Sequence, residues 1–413
     1  MPRLTFLGGH QAQLLRGGDA LFPAMIEAIR QAQREVWLAT YIFHDDPTAH
    51  AVAQALQAAA LRGVQVKLVV DGFGSKNTLA TLRRWLAPSG GALAVFRPMD
   101  RWWRWLSPGQ ARRLHQKLCV VDDTVAFVGG INVIADRLDL HHGWSDAPRL
   151  DFAIALRGAA VPQVAQAVRA VWTRAALGRV WRDEIAALLR SAAPVANARG
   201  LLRRMRLSPP LREPAPPLQP LPPVRLAFVV RDNLRQRRGI ERAYVDAIHA
   251  ARERVTIVCP YFYPGRTFRD ALGRAAERGV HVRLLLQGKL DYRFAGMAAR
   301  VLYDELLARG VAIFEYTPAY LHAKMAVVDD DWVTLGSSNI DPLSLLLNLE
   351  ANVVVQDRGF AAEVARELDL AIAASRAVLA PPYATGPAAV LRRGVVAWVS
   401  HWFLRMAGWS GRY

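Results

Sequence analysis

Three stretches of this chain each occur twice, in the same order and at nearly the same spacing. RGVQVKLVVDG at 62–72 returns as RGVHVRLLLQG at 278–288, AIRQAQREVWLATYIF at 28–43 as AIHAARERVTIVCPYF at 247–262, and LHQKLCVVDD at 114–123 as LHAKMAVVDD at 321–330. The offsets of 216, 219 and 207 residues differ only by loop-sized amounts. A unit of about 180 residues used twice is far longer than a solenoid repeat, so the pattern predicts two pseudo-symmetric domains. At 413 residues the chain also exceeds what one hydrophobic core usually serves.

Within each copy an amphipathic helix runs into an apolar strand, and a later helix ends at a Gly stop before a second buried strand. VWLATYIF, a helix from about Thr48 to Arg62, and VQVKLVV follow one another in this way. That alternation predicts an α/β fold in which each half is a β-sheet flanked by helices. Between the copies, PPLREPAPPLQPLPP at 209–223 holds eight prolines in fifteen residues. Proline lacks an N–H donor and fixes φ, so this segment reads as an extended linker. The expected organisation is a first domain over 1–207, a Pro-rich linker over 208–224, a second domain over 225–385 and a basic amphipathic helix over 386–413. The two cysteines, Cys119 and Cys259, stand 140 positions apart and suit neither a disulfide framework nor a Cys-x-x-Cys site.

The third repeat carries the chemistry. It reads His115, Lys117, Asp122, Gly129, Gly130, Asn132 in one half and His322, Lys324, Asp329, Gly336, Ser337, Asn339 in the other, at identical spacing. Strand alternation puts His and Lys on one face, while Leu118, Val120, Met325 and Val327 fill the core. One such motif is a weak sign, because a strand histidine is usually structural. Two copies, in corresponding places of a repeat, point to a site assembled from both halves.

A phosphodiester resists attack because its free oxygens are negative and its alkoxide leaves poorly. Lys117 and Lys324, with Asn132, Asn339 and on one side the Ser337 hydroxyl, can surround those oxygens and neutralise developing charge, so the chemistry calls for no metal and no cofactor. One imidazole would attack phosphorus to form a phosphohistidine, and the other would protonate the departing oxygen and later deprotonate the incoming alcohol or water. The attacking imidazole must be neutral, with an acceptor on its other nitrogen. Asp151 and Glu350, each at the start of the next strand-like segment of its half, are the candidates for orienting the histidines. Asp122 and Asp329 complete the motif and are expected to anchor the lysine and the local turn.

The duplicated motif resembles the HKD motif of the phospholipase D superfamily, and the resemblance covers nearly the whole chain. More narrowly, RRLHQKLCVVDDTVAFVGGIN, RLDFAIALRG and LHAKMAVVDDDWVTLGSSNIDPLSLLLNLEANVVV are similar to bacterial cardiolipin synthases of the short type, without N-terminal spanning helices. The resemblance implies one active site at the interface of two phospholipase-D-like domains, with His115 as nucleophile and His322 as acid and base. The implied reaction moves a phosphatidyl group from one phosphatidylglycerol to the hydroxyl of another and releases glycerol. The residues by themselves also permit the reverse roles for the histidines, or hydrolysis to phosphatidic acid by water. One departure is Gly130, where the second copy has Ser337.

With 53 Lys and Arg against 35 Asp and Glu, the net charge of +18 calls for a polyanionic partner. The superfamily's nucleases would suit it as well as its lipid enzymes, so placement of the charge decides. RPMDRWWRWLSPGQARR at 97–113 sets Trp102, Trp103 and Trp105 among five arginines, and the tail carries Trp398 and Trp402 on one helical stripe with arginines off it. Tryptophan beside arginine is the composition of a bilayer interface, and the tail suits an interfacial helix or one docked on the core. Stacking on single-stranded nucleic acid is the rival. Two such segments favour an anionic phospholipid bilayer and make nucleic acid the less expected partner. Nowhere do about 18 apolar residues run uninterrupted as a spanning helix requires. The expectation is a peripheral protein on the cytoplasmic face of a bacterial inner membrane.

Overall fold

A computed structural model describes residues 4–98, 112–140, 142–190, 197, 200–203, 205, 224–231, 238–289, 302–341, 344–345 and 348–379. Trp102, Trp103, Trp105, Trp398 and Trp402, residues 208–223 of the expected linker and the 386–413 tail lie outside them.

The first half contributes strands β1 Leu7–Arg16, β2 Glu35–Thr40, β3 Gln65–Asp71, β4 Ala92–Phe96, β5 Lys117–Val121, β6 Val125–Gly129, β7 Leu138–Asp139, β8 Gly143–Trp144 and β9 Phe152–Gly158. The second contributes β10 Val224–Arg231, β11 Arg254–Cys259, β12 His281–Gln287, β13 Ala312–Tyr316, β14 Met325–Val328, β15 Trp332–Gly336, β16 Glu350–Gln356 and β17 Arg376–Ala377. From the middle outward one half runs β1-β9-β6-β5-β2-β3-β4 and the other β10-β16-β15-β14-β11-β12-β13, with β17 added at the outer edge. The order is the same strand for strand, as the repeats require. β7 and β8 form a separate small hairpin.

The two expected sheets are in fact one. β1 pairs antiparallel with β10, Leu7 opposite Leu226 and His10 opposite Val224. Either strand alone would be a sheet edge with unpaired N–H and C=O groups, and joining them removes both edges. The fully buried His10 fastens the seam: one ring nitrogen lies 3.1 Å from the Val224 carbonyl and the other accepts the Ala160 N–H at 3.0 Å. Burial holds its pKa below 6.5 despite the Val224 bond, which fits a neutral ring serving as donor and acceptor.

β2, β3 and β4 run parallel, as do β11, β12 and β13. Parallel neighbours need a crossover, supplied by helices Pro47–Leu61 and Arg266–Glu277. Asp46 caps the first by accepting the Ala49 N–H at 3.0 Å, with Pro47 in its first turn. Both helices stop at the repeated Arg-Gly, where Gly63 and Gly279 take φ of +91° and +89°, the left-handed stop that glycine reaches without strain.

Three cores result. One is shared, with residues of β1, β5, β6, β9, β14, β15 and β16 packed against helices Val161–Arg190 and Arg358–Ala373. On the opposite side each half has its own: helices Gly17–Gln31, Pro47–Leu61 and Leu79–Leu86 cover the first, and Gly239–Ala250, Arg266–Glu277 and Tyr303–Ala308 the second. Burial on both sides explains why strands such as VKLVV and VRLLL read as nearly continuous apolar runs. Among the described residues no helix is long and apolar enough to cross a membrane.

Candidate active site

The segments leading into the two motif strands each pair with the opposite half of the chain. Leu114 bridges Leu349 and Leu321 bridges Leu150, each in parallel pairing. The His115 N–H donates to the Leu349 carbonyl at 3.0 Å, and the His322 N–H to the Leu150 carbonyl at 2.8 Å. Since Leu349 precedes Glu350 and Leu150 precedes Asp151, this backbone pairing delivers each carboxylate to the histidine of the other half.

His115 Nδ1 stands 3.0 Å from the Glu350 carboxylate, and His322 Nδ1 stands 2.6 Å from Asp151. Glu350, kept ionised, accepts, so the His115 proton sits on Nδ1 and the His115 Nε2 lone pair is free. The histidine side chains keep 13% and 21% of their surface in contact with solvent, against 0% and 2% for the carboxylates behind them. The arrangement is open in front and closed at the back.

Lys117 and Lys324 are buried, and their Nζ groups donate to the carbonyls of His115 and His322 respectively, the first at 2.7 Å. Ser337, expected at the phosphate, instead donates its hydroxyl proton to Glu350 at 2.6 Å and accepts the Ala351 N–H at 3.0 Å. The first half has no room for such a hydroxyl, because a Cβ on Gly130 would meet Asp151 Oδ1 at 2.6 Å. Asn132 turns its Oδ1 to the Ile42 N–H at 3.2 Å, while the buried Asn339 Oδ1 has no hydrogen-bond partner among the described residues.

Asp122 and Asp329 are not with the histidines. Each follows its motif strand, about 16 Å from the lysine at 3.3 Å per residue, so neither anchors the lysine. Asp122 accepts the N–H groups of Gln33, Arg34 and Glu35, all at 2.8 Å, and Asp329 those of Arg252, Glu253 and Arg254. Both take a positive φ, 53° and 51°, which aspartate tolerates better than most residues. These side chains staple the β5–β6 and β14–β15 turns to the chain entering β2 and β11.

Asp122→Ala is accordingly expected to cost about 1–2 kcal/mol of stability, lowering the melting temperature, while kcat of the folded protein changes less than about threefold. Partial burial pushes the Asp122 carboxyl up, but the N–H groups of Glu35, Gln33 and Arg34 outweigh it and hold the carboxyl below 3.8. With a folded value depressed, its contribution is complete above the unfolded value and fades as pH falls through the folded one.

Electrostatics differ between the two histidine pairs. Burial, opposed by Glu350, lowers the His115 pKa; burial with the charges of Lys324, Arg149 and Lys117 lowers that of His322 well below 6.5. Burial would raise Glu350, but His115, Lys117 and the Ser337 hydroxyl overcome it and keep it ionised. Asp151 lacks such a hydroxyl, and burial, only partly offset by Lys324, pushes it up to about 7. Burial also brings Lys117 down to about 7 and lowers Lys324. Burial outweighs the nearby carboxylates for both lysines, and an entering phosphodiester would favour their charged forms.

Two further neighbours shape the site, of which sequence reasoning missed Arg149. Tyr41 lies with its ring centroid 5.3 Å from that of His115 and 5.7 Å from Lys117 Nζ, at a place where the other half has Pro260. Arg149, two residues before Asp151, adds the positive charge felt by His322 and Lys324. The Arg-Leu-Asp run was the available signal for it. Among the described residues no cluster of three His, Cys, Asp or Glu side chains is placed to hold a metal ion.

Comparison with known proteins agrees with this geometry. The family described as cardiolipin synthase, PLD-like domain, matches residues 25–142 and 244–371, once in each half. Cardiolipin synthase B of Escherichia coli K12 is 35% identical over 352 residues, covering 85% of this chain and 78% of that protein. Cardiolipin synthase A of Pseudomonas putida is 31% identical over 369 residues, 89% of this chain and 70% of that one. Among solved structures, a phosphatidylserine synthase of Haemophilus influenzae superposes with a TM-score of 0.67 over 98% of this chain and 95% of its own, at 15% identity, which speaks for the fold. With a family match in both halves and relatives of this identity along most of its length, the chain belongs to the cardiolipin synthase family of proteins with duplicated PLD-like domains.

Proposed function

We propose that this protein is a phosphatidyltransferase that makes cardiolipin from two molecules of phosphatidylglycerol. The observation that carries the reading is the crossed pair: two histidines, each held through Nδ1 by a carboxylate of the opposite half and each with a buried lysine whose Nζ donates to its carbonyl. His115 Nε2 attacks phosphorus, the bond to glycerol breaks, and the proton held by the His322–Asp151 pair goes to the departing oxygen. A hydroxyl of the second phosphatidylglycerol then gives its proton to His322 and attacks phosphorus, breaking the nitrogen–phosphorus bond. Lys117, Lys324 and the side-chain amides of Asn132 and Asn339 face the phosphate oxygens. Asp122 and Asp329 serve as turn staples.

The asymmetry between the carboxylates supports these roles. Glu350, held ionised by Ser337 and Lys117, fixes His115 as the neutral nucleophile. Asp151, at about 7, lets a proton reside on its pair with His322 at working pH. Phospholipid substrates fit work at an anionic bilayer, and in this reading the protein binds the cytoplasmic face of the inner membrane through Trp102, Trp103, Trp105, Trp398 and Trp402 with their neighbouring arginines.

The test is incubation of the full chain with phosphatidylglycerol vesicles and mass analysis of the products. Cardiolipin and glycerol in equal amounts are expected. Phosphatidic acid alone would make the protein a hydrolase, and cleavage of nucleic acid without lipid turnover would overturn the lipid reading altogether.

A further inference from the structure

The repeated strands β3 and β12 each end in a polar residue followed by a glycine, Asp71-Gly72 and Gln287-Gly288. Asp71 is fully buried and Gln287 is 7% exposed. Asp71 Oδ2 accepts the Leu114 N–H at 2.9 Å, and Gln287 Oε1 accepts the Leu321 N–H at the same 2.9 Å. These are the peptide groups immediately before His115 and His322. The next N–H in each case, that of the histidine itself, goes to the opposite half, as described above. Two successive N–H groups are therefore clamped, one by the histidine's own domain and one by its partner.

The glycines make the clamp possible. A Cβ at Gly72 would stand 2.5 Å from the Arg97 carbonyl oxygen, and one at Gly288 would stand 2.6 Å from that of Tyr316. What the two copies share at the polar position is an oxygen acceptor in one place; the charge differs. Asp71 also accepts the Phe73 N–H at 2.8 Å and an Arg113 Nη1 contact at 3.2 Å, whereas Gln287 Nε2 is buried without a hydrogen-bond partner among the described residues. A residue kept only for turn chemistry would have no reason to reach the same peptide in both halves.

We propose that Asp71 and Gln287 are positioning residues for His115 and His322, each holding the peptide that aims one imidazole at the phosphate; the kinetic part of this rests on the phosphatidyl-transfer reading. The experiment uses the full chain with ¹⁵N-labelled histidine and the variants Asp71→Ala, Asp71→Asn and Gln287→Ala. In the free protein, Asp71→Ala is expected to move the His115 imidazole nitrogen signals and leave those of His322 in place, and Gln287→Ala to do the reverse. In turnover of phosphatidylglycerol each alanine variant is expected to lower kcat about 10- to 100-fold at unchanged KM. Asp71→Asn, which keeps an oxygen for Leu114, is expected to recover kcat to within about threefold of the parent.

Unmoved imidazole signals in folded alanine variants would overturn the proposal, as would an Asp71→Asn variant as impaired as Asp71→Ala. Should Asp71→Ala not fold, Asp71→Asn and Gln287→Ala decide in the same way. If the parent protein makes no cardiolipin, the transfer reading fails by itself, and the nitrogen signals of the free protein still decide the positioning.

Discussion

Replacing His115 with alanine is expected to lower cardiolipin formation by a factor on the order of 10⁴ or more, because the variant has no atom to bond to phosphorus. His322→Ala keeps the nucleophile and loses only proton transfer, which is expected to cost on the order of 10² to 10⁴. The two losses can be told apart. A phosphatidyl ester of p-nitrophenol has a leaving group that departs without a proton, so His322→Ala is expected to release nitrophenol from it rapidly and to accumulate phosphate label on His115. His115→Ala is expected to release none. If His322→Ala were the variant that abolished release and His115→Ala the one that retained it, the roles would be exchanged. Both histidines sit at strand entries held by main-chain bonds, so the melting temperature of each variant serves as a check that the fold survives.

The second large effect is expected from Glu350→Gln. An amide can donate as well as accept, so His115 is no longer obliged to keep its proton on Nδ1, and a ring protonated on Nε2 cannot attack. A carboxylate-to-amide change behind a catalytic histidine costs about 10⁴ in serine proteases, where the geometry is otherwise intact. Here kcat is expected to fall by about 10³ to 10⁴ at nearly unchanged KM. Loss of the negative charge also removes a carboxylate that props up the Lys117 pKa, already lowered to about 7, so weaker neutralisation of the charge that develops in the transition state adds to the fall in kcat. Rapid-quench measurement of the phosphoenzyme checks this directly. A burst of normal size and rate in Glu350→Gln would show that the carboxylate does not set the tautomer.

Much of this molecule was legible in the sequence, because a repeat states its own architecture. The Arg-Gly helix stops, the buried strands and the residues His115, Lys117, His322 and Lys324 could all be placed by comparing one copy with the other. Asp151 and Glu350 could be found the same way, but not their pairing. That depends on Leu114 meeting Leu349 and Leu321 meeting Leu150, contacts that link the two copies and leave no mark on either one's periodicity. The union of the two sheets through β1 and β10 was hidden for the same reason. Ser337 was misplaced because a hydroxyl beside a phosphate site has two competing acceptors, and only geometry shows that Glu350 takes its proton. Asp122 and Asp329 were grouped with the histidines by motif, yet a strand of extended residues separates them.

The crossing of the carboxylates makes the two halves mutually dependent. Either half alone owns a histidine and a carboxylate, but the wrong ones for each other, since Asp151 serves His322 and Glu350 serves His115. A lone half would have to find a second copy before it held even one oriented imidazole, and a damaged half cannot be covered by its intact twin. Two copies of a module ordinarily give a lineage a spare; in this chain duplication has removed the spare, and each copy evolves as a component of the other's active site.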